Sequence, residues 1–402
     1  MSTTLSSRQR KGLRAIVAAT YASALGDGAF LAATPLAAAA ITRSPSAVSL
    51  VAAVQYIPWL LVSPFAGALV DRWPKRAVLI LADAVRAIAL VVLTVIVLLK
   101  QVSIPALAAV ACLVVVGQIF ADTASQSIVV QLAGRETADL NKANGHISSA
   151  GTVGKSLAGP PIGSGSFAAL PWLPFALDAA SFAFSAWCLK SLPHSPDGRP
   201  ADPSRRLIQA IAEGARFLVR HPTLRILCLL VAAANLANFM ALATFVLYAT
   251  ERLGVSVAAF GALMAAGSIG GVIGGFASSR VVRRLGARGA MTAGVAVGAI
   301  SWPALSLMTS PWPAAAILAL VEFCAAVTTV VAISSRQQMT PPEMLGRVIS
   351  AFRTVGAGAA PLGALAGGLT ADALGLSAPL YAAGAVLFAA LLLTFRLRIA
   401  RQ

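Results

Sequence analysis

The stretch that decides the fold is GALVDRWPKR, which runs from Gly67 to Arg76. Four of its ten residues are charged, in a chain of which only 11% of the residues are charged. On either side lies an apolar run of about 20 residues, the length that a helix needs to cross the hydrocarbon core of a bilayer. A short charged turn between two such runs indicates a chain that crosses a membrane, turns at its surface and crosses back.

The rest of the chain repeats this pattern. Of its 402 residues, 58% are hydrophobic, and the mean hydropathy is +0.82. Soluble proteins carry about a quarter charged residues. Their buried helices also have polar faces at a helical period, which most of these runs lack. The sequence therefore predicts an all-α polytopic membrane protein.

Twelve membrane spans are predicted from the apolar runs, and they are numbered here from the N-terminus as spans 1 to 12. They cover residues 13–41, 48–70, 77–99, 104–131, 141–165, 170–190, 223–250, 256–279, 289–308, 313–335, 346–370 and 376–396. An even number of spans places both termini on the same side of the membrane. Trp172, Trp302 and Trp312 lie at predicted outer ends, where we expect them to act as interfacial anchors.

The distribution of Lys and Arg indicates which side that is. If the N-terminus is inside, 25 of the 31 Lys and Arg residues fall in the termini and the inner loops, and the outer loops contain only Arg43, Lys100 and Arg252. Cytoplasmic loops carry the Lys and Arg excess, so both termini are predicted to be cytoplasmic, in the cell membrane. The net charge of +17 is spread over these loops. That spread favours contact with anionic lipids over nucleic-acid binding, which would gather the charge on one face.

The longest connection, residues 192–222, divides the chain into two predicted six-helix bundles, 1–191 and 223–402. It begins with the linker PHSPDGRPADPS and continues as a predicted amphipathic helix, whose apolar face contains Leu207, Ile211, Ala215 and Leu218. The bundles resemble each other at an offset of about 208 residues, which aligns Asp27 with Asn235. Such duplication, with sites where the repeats meet, is typical of secondary transporters.

The opening stretch resembles a known signature. GALVDRWPKR is similar to the loop 2–3 motif of the major facilitator superfamily, Gly-x-x-x-Asp-Arg-x-Gly-Arg-Lys/Arg, and lies in the corresponding loop. It departs from that motif at Pro74, where the family has Gly, and at Lys75, where the family often has Arg. A degenerate copy, GGFASSRVVRRLGAR, follows span 8.

The resemblance implies a cytoplasmic gate motif that latches the two bundles when the cavity faces outward. Its residues are Gly67, Asp71, Arg72 and Arg76. On this interpretation Gly67 allows two helices to approach closely, and the latch depends on Asp71 and Arg72. An alternative is a simple charge cluster that orients the chain. That alternative accounts for Lys75 and Arg76 but not for Asp71, because acidic residues add little to orientation.

Four further stretches resemble one branch of the superfamily, the enterobactin-exporter-like and macrolide-efflux-like transporters. They are GDGAF in span 1, FADTASQ in span 4, ALDAASFAFSA in span 6 and EGARFLVRHPTLR after the linker. Together they extend the resemblance over essentially the whole chain. It implies a twelve-helix fold of two pseudo-symmetric bundles and an activity in export.

Span 5 contains a second motif, GTVGKSLAGPPIG. It resembles the Gly-Pro-rich motif of drug and proton antiporters, and its helix-packing residues are Gly151, Gly159, Pro160 and Gly163. Glycines at this spacing allow close helix packing, and proline kinks the helix. The functional interpretation favours export, whereas the alternative is ordinary packing of small residues. Span 11 contains a similar stretch, GAGAAPLGALAGG, which weakens the case for a special role.

Polar side chains inside the spans are the candidates for binding and coupling, because charges within a bilayer are costly and usually face a cavity. The candidates for proton coupling or substrate binding are Asp27, Asp122, Lys155, Asn235, Asn238 and Glu322. In the superfamily, spans 1, 4, 7 and 10 line the central cavity, and each of them carries an acid or an Asn pair here.

Each candidate also has a structural interpretation. Asp122 and Lys155, the one cation assigned to the middle of a span, are predicted to lie at similar depth and could form a static ion pair. Asp83 and Arg86 are expected to form a structural pair near the inner end of span 3. Glu322 has no cationic partner at its depth, so it could carry a proton. We therefore favour Glu322 and Asp27 for proton coupling or cation recognition.

The predicted function is the export of amphiphilic organic molecules, such as a drug-like compound or a siderophore, by proton antiport with alternating access. Two alternatives stay open, namely uptake or facilitated diffusion of a small metabolite, and a non-transporting sensor or scaffold. An enzyme is not expected, since no catalytic constellation or ATP-binding motif is visible. The histidines and cysteines are not spaced for a metal. The partners expected are a small-molecule substrate, protons and lipids, with no cofactor, and the chain is expected to act as a monomer.

Overall fold

The structure is a computed structural model, and it describes residues 7–133, 145–192, 205–395 and 397. Within these ranges the regular secondary structure is helical, and no strand occurs. This confirms the predicted all-α class. The linker 193–204 and the first residues of predicted span 5 lie outside the described ranges.

Within the described residues of the first half, 145–150 are helical and lead into a π-helical segment. That segment and the other helices of this half are labelled in chain order. They are α1 (Ser7–Ile41), α2 (Pro45–Leu61), α3 (Ser63–Arg72), α4 (Lys75–Leu98), α5 (Ile104–Ala133), the π segment (Gly151–Ala158), α6 (Gly159–Ala169) and α7 (Leu173–Leu189). Prolines set several of these boundaries, since proline is favoured in the first turn of a helix. Pro64, Pro160 and Pro174 occupy such positions in α3, α6 and α7.

The described part of the second half contains the helix of the connection and six more. They are α8 (Arg205–Arg220), α9 (Pro222–Leu242), α10 (Phe245–Glu251), α11 (Val257–Ser306), α12 (Pro311–Met339), α13 (Pro342–Leu374) and α14 (Ala378–Thr394). Helix α11 covers both span 8 and span 9, because the chain bends at Gly286, whose φ of 71° is a left-handed conformation that glycine adopts at little cost. Each of the twelve predicted spans therefore contains a helix.

Seven of the described helices have the length and apolar composition to cross a membrane. Three more apolar helices, α2, α7 and α14, have 17 residues each, close to the shortest spanning length. Helix α8 is different, since it begins and ends with arginines and buries Leu218. The prediction of an amphipathic helix after the linker agrees with that pattern, although the side chains of Leu207 and Ile211 lie outside the described set.

The chain separates into two compact units. Unit 1 contains Met1–Ile41, Leu61–Asp202 and Val257–Ala265, and unit 2 contains Thr42–Leu60, Pro203–Ser256 and Ala266–Gln402. The core of unit 1 is built from large aliphatic side chains, whereas a core cluster of unit 2 is built from alanines, which bring helix backbones close together. The predicted division at residues 192–222 stays a prediction.

Candidate functional site

Unit 1 contains a cluster of three charges, which we call the charged cluster: the partly buried Asp27 on α1, with the buried Asp83 and Arg86 on α4. The guanidinium of Arg86 donates to Asp27 Oδ1 at 2.6 Å and lies 3.4 Å from Asp83 Oδ1. The side chains of Arg86 and Asp83 are only 3% and 5% exposed, and that of Asp27 is 13% exposed. Burial of these charges is tolerable because the cation faces both anions.

Residues of neighbouring helices hold the charged cluster in this arrangement. Its guanidinium stacks on the ring of Phe182 at 3.6 Å from the ring centroid, an attraction that strengthens when the cation is desolvated. A Cβ atom at Gly117 would lie 2.6 Å from Cγ of Arg86, so only glycine leaves room for the arginine stem. Ser185 donates to Asp83 Oδ2 at 2.6 Å and fixes the second carboxylate.

This geometry corrects two predictions. Arg86 was placed near the inner end of span 3, with Lys155 as the one mid-membrane cation, but Arg86 reaches the carboxylate of Asp27 at the centre of span 1. Asp27 is therefore paired with Arg86, a contact that the sequence did not predict. Asp83 and Arg86 do contact each other, as predicted, but the shorter contact of Arg86 is to Asp27.

A further carboxyl group lies beside the charged cluster. Asp178 on α7 is fully buried and packs against α1 at Gly26, where a Cβ atom would collide with its Oδ1. Ser181 donates to that same oxygen at 3.1 Å, while Oδ2 has no hydrogen-bond partner among the described residues.

The charged cluster borders a cavity of about 360 Å3 in unit 1, which we call the Asp27 cavity. Asp122 and Lys155 line the same cavity, together with the amides of Gln118 and Gln126. The structure therefore brings three of the predicted site residues, Asp27, Asp122 and Lys155, to one place. The static ion pair suggested between Asp122 and Lys155 stays a prediction.

Glu322 on α12 belongs to unit 2 and has different surroundings. Its side chain lies against the backbone of α11, with Cγ 3.8 Å from the position of a Cβ on Gly267 and Cβ 3.8 Å from that of a Cβ on Gly271. No hydrogen bond or ion pair joins Glu322 to the described part of the chain. The assignment of Glu322 as a proton-coupling group stays a prediction.

The two predicted Asn residues of α9 line a second, smaller cavity. This cavity in unit 2 measures about 110 Å3 and is lined by residues of α9, α11, α12 and α14. Asn235 donates to the carbonyl oxygen of Gly356 at 2.9 Å. Trp302 also lines it and is only 2% exposed, so it is a buried residue and not the interfacial anchor that the sequence predicted.

Comparison with known proteins identifies the family of this chain. The sequence profile described as "Major Facilitator Superfamily" matches residues 16–357 and 227–402. The chain belongs to the major facilitator superfamily. This confirms the predicted family, and the family and fold are those of a membrane transporter rather than an enzyme.

The individual proteins that the chain resembles share little sequence identity with it. The chain is 26% identical over 369 residues to the multidrug efflux pump Tap of Mycolicibacterium fortuitum, which covers 90% of this chain and 89% of Tap. A solved bacterial homologue of the iron transporter ferroportin, in an inward-facing state, has a TM-score of 0.77 at 16% identity and covers 96% of this chain and 98% of its own. A bacterial homologue of the human lysosomal transporter Spinster has a TM-score of 0.74 at 15% identity, with 98% of both chains covered.

The superfamily signature in the opening stretch has a structural role here that its sequence did not reveal. The ammonium of Lys75, a buried residue, donates to the carbonyl of Val70 in the last turn of α3. Arg76 donates to the carbonyl of Lys190 at the end of α7. Cations at helix C-termini are favourable because the carbonyls there lack partners and the helix dipole is negative. Two of the four charges in the turn therefore cap helices.

The structure describes only some of the side chains of the predicted gate motif. Arg72 is exposed, and the side chain of Asp71 lies outside the described set. A Cβ atom on Gly67 would meet no described atom within 4 Å, so the described residues show no close helix approach at this glycine. The gating role of the motif stays a proposal.

The glycine motif of span 5 forms a packing seam with α1. A Cβ on Gly159 would collide with the backbone of Gly28, and one on Gly163 would collide with the backbone of Ala29. Gly151, in contrast, has no described neighbour within 4 Å, so it does not share the packing role predicted for the motif. Lys155 lies in the π segment between these glycines, and π geometry is frequent at functional sites.

Proposed function

We propose that this protein exports amphiphilic organic molecules across the cell membrane by alternating access, driven by protons that move in the opposite direction. The observation that carries the proposal is the contrast between two membrane-embedded acids. Asp27 is held by Arg86 at 2.6 Å, whereas Glu322 has no partner in the described chain. The protein is multi-pass, and we further propose that both termini are cytoplasmic, in accord with the distribution of Lys and Arg.

An unpartnered carboxyl group in a membrane interior is suited to carry a proton. Its charged form is disfavoured away from water and cations, and it becomes favourable once the group meets solvent. Glu322 lies against two glycines of α11, Gly267 and Gly271, which bring the backbone near the carboxyl group without adding polar groups. Protonation on one side of the membrane and release on the other would then accompany the conformational cycle.

The Asp27 cavity is proposed to contribute to coupling in a different way. Arg86 is shared between Asp27 and Asp83, so protonation of one carboxylate would leave the cation with the other. Such sharing links the charge state of α1 to the position of α4. Asp122 and Lys155 provide further polar groups in the same cavity, where a polar part of the cargo or water could bind.

Export is supported by the similarity to the multidrug efflux pump Tap, at 26% identity. It is also supported by the resemblance of the sequence to efflux branches of the superfamily. Amphiphilic cargo is consistent with cavities that combine charged or amide groups with aliphatic walls, as in the Asp27 cavity.

Accumulation of a fluorescent amphiphilic cation, ethidium, and of a macrolide tests this proposal in cells that express the wild type, Glu322→Gln or Glu251→Gln. Glu251 is the matched control because it is an exposed acid paired with Arg43, and such pairs contribute little. We expect the wild type and Glu251→Gln to lower accumulation of at least one compound. Glu322→Gln, or a proton uncoupler, should abolish the effect.

Equal accumulation in cells with and without the protein, for every amphiphile tried, would contradict the export proposal while leaving the fold intact. Extrusion that survives both the uncoupler and Glu322→Gln would contradict proton coupling but not export. Both readings require that the variants reach the membrane at wild-type levels, which immunoblotting of membrane fractions measures.

A further inference from the structure

The internal duplication relates the two cavities residue by residue. The offset of 208 that aligns Asp27 with Asn235 also aligns Asp83 with Met291 and Arg86 with Gly294. The first members of these pairs all line the Asp27 cavity, and the second members all line the cavity of about 110 Å3 in unit 2. The correspondence found in the sequence is therefore also a correspondence of position within each unit.

The substitutions change both the charge and the space. In unit 1 the guanidinium of Arg86 fills the site and neutralises two carboxylates. In unit 2 an amide, a thioether and a glycine stand in their places, so the charges are gone. Thr328 packs against Gly294, where a Cβ would lie 2.5 Å from its methyl group, and an uncharged space of about 110 Å3 remains beside these residues. We call the resulting space the Asn238 cavity, defined by Asn235, Asn238, Gly294, Cys324 and Thr328.

The walls of the Asn238 cavity offer hydrogen bonds without charge. Its described lining contains no Asp, Glu, Lys or Arg. The amide of Asn238 makes no hydrogen bond to the described part of the chain, so its donors and acceptor are available to an occupant. Trp302 and Met291 add aromatic and thioether surface, which suits an organic group better than an ion.

We infer that the Asn238 cavity binds a small, uncharged organic group that carries a hydrogen-bond donor and acceptor, such as a carboxamide or an alcohol. The size is suitable, since an apolar cavity of about 150 Å3 accepts benzene and the smaller volume here is partly polar. A cation is disfavoured because the aligned acids of unit 1 are replaced, and an anion is disfavoured because the aligned arginine is replaced. The duplication thus yields one cavity in unit 1 that holds charge and one cavity in unit 2 that recognises neutral polar groups.

Cys324 lines this cavity and provides a probe of occupancy. The full-length protein in lipid nanodiscs, with Cys112, Cys188 and Cys228 changed to alanine, keeps one thiol. Methyl methanethiosulfonate is a small neutral reagent that converts this thiol to a methyl disulfide and releases methanesulfinate. The labelling rate, followed by intact-protein mass spectrometry, then reports access to the cavity.

Three probes of nearly equal size separate the role of charge: propionamide, propionate and propylammonium. We expect propionamide to slow labelling of Cys324, by about tenfold at ten times its Kd. The two ions should leave the rate unchanged. Gly298→Ala places a Cβ 2.9 Å from the Leu387 methyl in the cavity wall and should weaken the protection, whereas Gly165→Ala, in open space, should not.

Three results would overturn the inference. One is equal protection by all three probes, and another is labelling that none of them slows. The third is failure of the reagent to label Cys324 in the folded protein when the thiol reacts fully in denaturing detergent, because the cavity would then be closed to ligands. The readout does not depend on transport, so its failure is distinguishable from failure of the export proposal.

Discussion

Replacement of Arg86 by methionine should destabilise the protein more than replacement of any single carboxylate that it contacts. Methionine keeps most of the apolar stem that packs beside Gly117 but removes the cation that faces Asp27 at 2.6 Å and Asp83 at 3.4 Å. Asp83 keeps the hydrogen bond from Ser185, whereas Asp27 loses its partner. The variant therefore leaves two buried anions with no cation in contact.

The expected loss in free energy of unfolding for Arg86→Met follows from the burial of the Arg86–Asp27 pair. Removing one partner of a buried ion pair costs about 3–5 kcal/mol, and we expect a value near the lower end because the Asp27 side chain retains 13% exposure. Asp27→Asn should cost less, about 1.5–3 kcal/mol, the range for a hydrogen bond to a charged group, because Arg86 keeps its contact with Asp83. The double variant should lose less than the sum, with a coupling energy of about 1–3 kcal/mol.

Equilibrium unfolding of the purified protein in mixed micelles measures these differences for the two single variants and the double variant. Arg353→Met is the matched control. Arg353 is an exposed arginine whose guanidinium stacks on the ring of Trp59 at 5.0 Å, so its loss should cost about 1 kcal/mol or less. A cost for Arg86→Met no larger than that of the control, or strictly additive effects of the two cluster variants, would refute the reasoning.

Three further substitutions test packing and hydrogen bonding, each by the same unfolding measurement. Gly163→Ala should cost about 1–3 kcal/mol because its methyl group would collide with the α1 backbone, whereas Gly165→Ala, two residues on in open space, should be tolerated. Ser164→Ala removes a hydroxyl that bridges a carbonyl oxygen and a backbone amide of α11 at 2.8 and 3.0 Å, and should cost about 1–3 kcal/mol. Ser166→Ala, which loses only a bond within its own helix, should cost less. Tyr248→Phe should cost about 0.5–1.5 kcal/mol for the lost bond to the Leu305 carbonyl, and no loss in these variants would contradict their assigned contacts.

The helical class, the spans and the family could be predicted because they depend on local composition. Each apolar run of spanning length, and each charged turn such as GALVDRWPKR, can be recognised from its own residues without knowledge of the rest of the chain. The bend at Gly286 falls where the sequence has GGFASSRVVRRLGAR, a charged run between two apolar ones. The same signals do not specify side-chain contacts within the turn, which is why the caps made by Lys75 and Arg76 were missed.

The charged cluster could be predicted only in part, because its contacts join distant parts of the chain. Asp83 and Arg86 are one helical turn apart, and that pair is visible in the sequence. Arg86 and Asp27 are separated by 59 residues, and nothing local indicates that an arginine assigned to the end of span 3 reaches the centre of span 1. Two further residues shape the site of Arg86: Gly117 leaves room for the arginine stem, and Phe182 provides the ring on which its guanidinium stacks. Neither role can be predicted from the sequence, because both contacts form only when the helices pack together.

The most direct test of proton-coupled export is proton movement driven by cargo alone. Purified protein in liposomes that contain a pH-sensitive dye, with no initial pH difference, is given an outward-directed gradient of a compound that the accumulation assay has identified. We predict acidification of the lumen with the wild type and with Glu251→Gln, and none with Glu322→Gln. Cargo flux without proton movement in the wild type, or proton movement that persists in Glu322→Gln, would contradict the coupling role assigned to Glu322.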